Sequence, residues 1–194
     1  DFKSSNGLFE MINQKYTSSF HSVRYLFDAN LHISDKAIKA FYNFIGELNN
    51  LVLKTEPTAT HLFIKKLADM KKLKRVYTQN IDNLEEKAEL EVWNFEKLKR
   101  CKSQVVQLHG TLANLQYKLC TNVYSFTQES CDIFTKEYDR YLQGKQKQTV
   151  GKLKLAVILY GDKHPNELEI GEIAEYDQKK ADCLLIMGTS LRIP

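Results

Sequence analysis

Glycine is scarce in this chain, eight in 194 residues, against ten Phe and ten Tyr. That balance excludes a low-complexity or disordered chain. Long apolar runs are missing as well. Leu155 to Tyr160 and Cys183 to Met187 have the length of buried strands, far short of the roughly 20 residues of a spanning helix. A soluble protein with no membrane partner is expected. Cysteine is sparse: the four, at 101, 120, 131 and 183, do not make the dense framework of a small secreted domain. No leader-like segment precedes them, so a reducing, intracellular setting is expected, although Asp1 opens the chain without an initiator Met. Charge of one sign does not dominate either. The formal net charge is +4, and the clusters Lys71-Lys72-Leu73-Lys74-Arg75 and Lys97-Leu98-Lys99-Arg100 sit among helix-like residues. They read as solvated helix faces rather than a nucleic-acid stripe.

What remains is ordinary globular composition, 43% hydrophobic and 27% charged, enough for one filled core and at most a small extra module. Apolar residues recur at helical spacing over 17–30 and 35–53. The second helix has Ser34 or Asp35 as N-cap and a stripe of Ile38, Phe41, Ile45 and Leu48. A helix is expected over 58–70 after Pro57, with Leu62, Phe63 and Leu67 inward. Arg75 to Thr78 is a short strand and 82–90 a helix. Val105 to Leu108 is a strand, and so are 155–160 and 183–187, with a helix near 170–180 between them. Strands alternating with helices predict an α/β fold, a Rossmann-like, mostly parallel sheet covered on both faces. Residues 111–150, polar and rich in Gln and Lys, break this rhythm as an insertion. The expected organisation is a core of 1–110 and 151–194, with a helical insertion near 6–55, and a small module at 111–150.

Ligands of open parallel sheets bind beyond the carboxyl ends of the strands. Three strand ends carry polar clusters: Gln79-Asn80-Ile81-Asp82, His109-Gly110 and Gly188-Thr189-Ser190. Singly, Asp82 could be a helix N-cap, Thr189 and Ser190 a turn, and His109 a structural histidine. Three such ends together point to one crevice.

The segments YTQNID at 77–82, LHG at 108–110 and GTSL at 188–191, with the opening DFKSSNGL, resemble in order the signatures of the sirtuin family, across the whole chain. Finer features are similar to fungal nuclear sirtuins that deacetylate a core lysine of histone H3: LYGDKHP at 159–165, LRIP at 191–194 and a long stretch from Asn80 to His109. The resemblance implies an NAD-dependent protein-lysine deacetylase that releases nicotinamide and transfers the acetyl group to ADP-ribose. It implies chromatin silencing or genome maintenance in the nucleus, with an acetylated histone tail or core peptide as partner and contact with chromatin.

By the same resemblance His109 is the base that activates a ribose hydroxyl, a task suited to imidazole. Asn80 and Asp82 hold the ribose side and the nicotinamide carboxamide, and Gln79 bonds the ribose. With them Asp1, Phe2, Lys3, Ile81, Gly188, Thr189 and Ser190 bind the cofactor, Phe2 covering the nicotinamide. The acetyl-lysine peptide pairs as an extended strand beside Leu159, Tyr160, Gly161 and Asp162.

Departures from the family pattern are specific. Its structural zinc site needs two Cys-x-x-Cys pairs. Here YKLC at 117–120 and CDIF at 131–134 leave only Cys120 and Cys131 as metal ligands, with no histidine between 110 and 163. Tyr117 and Phe134 are expected to fill the space that zinc occupies. Lys3 replaces an arginine and loses its planar fork. The family's Gly-rich phosphate loop is expected just upstream of Asp1, and the 194 residues alone are expected neither to hold NAD tightly nor to turn over. The eroded cysteine pairs and Lys3 define the alternative, a catalytically impaired NAD- or histone-binding scaffold.

Overall fold

The computed structural model describes residues 14, 35–93, 104–117, 123–127 and 153–189. In chain order the described elements are helices α1 (Asp35–Lys54) and α2 (Ala59–Asp69), strand β1 (Val76–Thr78) and helix α3 (Leu84–Lys87). Strands β2 (Val105–Gln107), β3 (Gly110–Tyr117), β4 (Val123–Ser125) and β5 (Leu153–Val157) follow, then helix α4 (Glu167–Gln178). No helix among the described residues is long and apolar enough to cross a membrane.

Strands β1 and β2 run parallel, with Val76 opposite Val105 and Thr78 opposite Gln107. Both Val105 and Val106 are fully buried, and alternation sends them to opposite faces. Val105 packs with Ile64 of α2 and Leu90, whereas Val106 packs with Trp93 and Ile173 of α4. A pair this short is therefore covered by a helix on each side. This is the Rossmann-like part of an α/β fold.

The second sheet has the order β4-β3-β5 and is antiparallel throughout. The boundary expected between 110 and 111 falls inside β3, which carries Leu112 and Leu115 into the core with Leu155 and Val157 of β5. Against them lies the stripe Phe41, Phe44, Ile45 and Leu48 of α1, residues one helical face apart. Phe126 completes this cluster, and its carbonyl accepts the buried Asn49 side-chain amide at 3.2 Å.

Several elements differ from expectation. Helix α2 begins after Thr58 as expected, but Leu62 and Phe63 are exposed and Ile64 is the buried residue. Three consecutive apolar side chains at 100° per residue cannot all face one way. The helix expected over 82–90 shortens to the single turn α3, bracketed by left-handed residues Asn83 (φ 59°) and Glu89 (φ 61°). Cys183 to Met187, expected as a buried strand, does not form one and is exposed, Leu184 at 81%. Only Ile186 in that run is β-branched, so strand structure there depends on a sheet partner, and none is found among the described residues. The helix expected at 17–30 and the inserted segment around Cys120 and Cys131 lie outside the described residues.

Candidate active site

Parallel register brings the carboxyl ends of β1 and β2 side by side, and the pairing continues past them: the Leu108 amide donates to the Thr78 carbonyl at 2.9 Å. The chain after β1 therefore meets the chain after β2. His109 Nδ1 lies 3.1 Å from the Gln79 carbonyl oxygen. A carbonyl only accepts, so Nδ1 bears the proton, and the neutral ring presents Nε2 as its lone-pair nitrogen. On the other side of Gln79, its side-chain oxygen accepts the Thr189 hydroxyl at 2.8 Å. Gln79 thus ties together the chain after β1, the chain after β2 and the 188–189 segment.

The turn after β1 is held by its own hydrogen bonds. The Asn80 amide donates to the Thr78 hydroxyl at 3.2 Å, and Asn80 itself stands exposed at the rim. The Leu112 amide donates to the Ile81 carbonyl at 2.9 Å, while the Ile81 side chain packs on the core beneath α1. Ile81, expected among the cofactor-binding residues, thus anchors the turn by its side chain. Asp82 Oδ1 accepts the Leu84 amide at 3.2 Å, a local turn bond, while the N-cap position weighed for it from sequence is taken by Asn83.

Gly110 follows His109 at φ +75°, opposite Val157. A Cβ there would stand 1.9 Å from the Ala156 carbonyl oxygen, so the close approach of β3 and β5 admits only glycine. The same crossing fixes the His109 backbone, whose carbonyl accepts the Ile158 amide at 2.9 Å. After β5, Leu159 to Asp162 close a tight turn, the Asp162 amide reaching the Leu159 carbonyl at 3.0 Å with Gly161 at φ 89°. A positive φ at the third turn position is the glycine signature of a type II turn. Tyr160 is exposed, and Asp162 half-buried, on this turn. Gly188 is likewise at positive φ, 67°, with open space where a Cβ would sit.

Two supports were not singled out from sequence as site residues. His164 Nδ1 accepts the Asn166 amide at 3.0 Å, so its Nε2–H faces the Gln107 carbonyl. Burial pushes the His164 imidazole below the usual histidine range; the Gln107 carbonyl opposes that shift and the nearby His109 adds to it. Behind β1, the buried Asp177 of α4 takes Arg75 Nε at 2.5 Å and the Tyr77 hydroxyl at 2.8 Å. Burial first, then the hydrogen bond to Asp177, hold the Tyr77 phenol well above its ordinary range. Tyr77 belongs to the 77–82 segment, yet its hydroxyl serves the brace between β1 and α4. Asp1, Phe2, Lys3, Ser190, Cys120 and Cys131 lie outside the described residues.

Comparison with known proteins places this geometry. The model of the Sir2 family matches residues 1–194. The NAD-dependent histone deacetylase HST3 of Candida albicans is 35% identical over 216 residues, covering 100% of this chain and 44% of that protein. The NAD-dependent histone deacetylase HST4 of Saccharomyces cerevisiae is 35% identical over 213 residues, with 100% and 56% covered. This chain thus spans about half the length of the curated relatives it matches. Among solved structures, one described as the structural basis of sirtuin substrate affinity superposes with a TM-score of 0.63 at 20% identity, over 100% of this chain and 66% of the other. An ADP-ribose complex of a Sir2 homologue gives 0.59 at 18% identity, over 94% and 60%. Ordered motifs, fold and whole-length match agree: the chain belongs to the Sir2 family.

Proposed function

We propose that the protein carrying this chain is an NAD-dependent protein-lysine deacetylase acting on acetylated histone in the nucleus. The observation that carries this reading is the Gln79 junction, which holds His109, the 79–82 turn and Thr189 at one strand-end rim. Relatives of matching sequence are named NAD-dependent histone deacetylases, which supports both cofactor and substrate class.

The residues present fit NAD. An exposed hydroxyl, a side-chain amide and an imidazole nitrogen stand together, the donor and acceptor set that a ribose needs, and Gly188 leaves open space beside them. Gln79, Asn80, Asp82, Gly188 and Thr189 would hold the dinucleotide, with Asp1, Phe2, Lys3, Ile81 and Ser190 as further proposed contacts. When bound, NAD supplies the ADP-ribose that receives the acetyl group as nicotinamide leaves. The protein's part is positioning and proton transfer. The Gln79 carbonyl keeps the proton of His109 on Nδ1, so Nε2 is free to take one from a hydroxyl. Holding the ring in that tautomer also fixes its plane. Leu159 to Asp162 form the proposed peptide edge, just past β5 and directly after the Ile158 amide that bonds the His109 carbonyl. The scaffold alternative has no comparable support, since a binding module needs no oriented base.

The test is the full-length protein with NAD and an acetylated histone H3 peptide. Stoichiometric release of nicotinamide and deacetylated peptide is expected. Peptide that stays acetylated, with NAD intact, would overturn the reading.

A further inference from the structure

Three titratable side chains meet beside the 79–82 turn. His61, from the first turn of α2, joins Asp82 and Glu85, and their ligand atoms lie within 4.8 Å of one another. Glu85 is only 3% exposed, and its Oε2 has no hydrogen-bond partner. A buried carboxylate oxygen left unmatched is costly, and a second carboxylate nearby adds repulsion. Either a cation or a proton donor could relieve both.

The hydrogen bonds of His61 decide between them. The Thr58 backbone N–H donates to His61 Nδ1 at 3.2 Å, and the Thr58 hydroxyl lies 2.8 Å from the same nitrogen. A nitrogen that accepts an amide proton carries none of its own, so the neutral ring bears its proton on Nε2. A protonated Nε2 cannot ligate a metal. Metal-bound histidines show the opposite arrangement, donating the far N–H to an acceptor. With Nδ1 engaged by Thr58, Nε2–H is the donor left for the carboxylates.

We propose that His61 is a positioning residue whose Nε2–H is the proton donor for the unmatched Glu85 carboxylate, keeping Asp82 beside it in the turn that Gln79 joins to His109. This clamp ties the amino end of α2 to α3 through side chains 24 residues apart in sequence, from His61 to Glu85. Asp82 is itself held by the Leu84 amide at 3.2 Å. The catalytic consequence rests on the proposed deacetylase reading; the hydrogen-bonding arrangement does not.

The test uses full-length protein in two arms. Long-range 15N–1H NMR of the histidines is expected to show His61 as the Nε2–H tautomer, shifting when Glu85→Leu removes its partner. In the kinetic arm, His61→Phe removes the donor and is expected to lower kcat by roughly 10- to 100-fold, the scale of an ångström-sized misplacement. His61→Gln keeps a donor and is expected to recover most of that loss at equal thermal stability. A merely structural role would make kcat follow stability in both variants, and that result overturns the proposal. So does an Nδ1–H or doubly protonated His61, or one zinc ion bound per chain and lost in His61→Phe. If wild-type protein releases no nicotinamide, the deacetylase reading fails, while the tautomer still decides the clamp.

Discussion

Replacing Gly110 with alanine sets a methyl group against the backbone of the neighbouring strand. Its Cβ would lie 1.9 Å from the Ala156 carbonyl oxygen and 3.1 Å from the Val157 Cα. Real Cβ contacts do not fall under 3.0 Å, so β3 and β5 must part by about an ångström at their crossing. The opposing atoms are backbone, so no rotamer change can relieve the contact. Left-handed backbone at φ +75° adds about 1–2 kcal/mol for any L side chain, and forced overpacking about 1–3 kcal/mol. A loss of roughly 2–5 kcal/mol follows from the two together. The shift also disturbs the bond between the His109 carbonyl and the Ile158 amide, and activity should fall about 100-fold. Gly171 is the internal control, since a Cβ there meets nothing within 4 Å. In the exposed helix α4, Gly171→Ala should stabilise by roughly 0.5–1 kcal/mol. Urea unfolding followed by circular dichroism reads both variants. Gly110→Ala with wild-type midpoint and wild-type activity would refute the reasoning.

Removing Asp177 takes from the Arg75 guanidinium, whose side chain is 5% exposed, and from the Tyr77 hydroxyl the carboxylate that both bond. Asp177→Ala should cost about 3–5 kcal/mol by the same unfolding assay, whereas Glu175→Ala, which breaks an exposed pair with Lys179, should leave the midpoint unchanged; equal effects would contradict the assignment of Asp177 as a buried brace. The pH dependence of stability follows from His164. Its folded form resists protonation through burial, while the unfolded chain takes up a proton near pH 6.5. The His164 contribution is therefore whole above that value and falls as pH drops below it, until the folded imidazole protonates too. Unfolding measured from pH 8 to pH 5 should show a shallower decline in His164→Asn than in wild type; identical slopes would exclude the mechanism.

How much of this was legible in the sequence depends on whether a signal fixes direction. The α1 stripe of Phe41, Ile45 and Leu48 could be read directly, because helical period names the buried face. In α2 the run Leu62-Phe63-Ile64 fits three phases equally, and the phase is set by Ile64 meeting Leu90 and Val105. The run at 155–160 announces burial but not polarity, and its strand, 153–157, pairs antiparallel with β3. Strand-end polar clusters located Gln79, His109 and Thr189, since each follows an apolar strand or run. Asp177 and Glu85 gave no local signal, whereas His61 reads as a structural residue at the start of a helix, where it bonds Thr58. Asp177 takes its role from Arg75, distant in sequence, and only folding brings Glu85 near His61.

The most direct measurement is the effect of His109→Ala on turnover in the full-length protein, with NAD binding followed in parallel by calorimetry. Loss of an oriented base should lower deacetylation of an acetylated histone peptide by about 100- to 10,000-fold while NAD still binds. Turnover unchanged from wild type would contradict the assignment of His109 as the base held by Gln79.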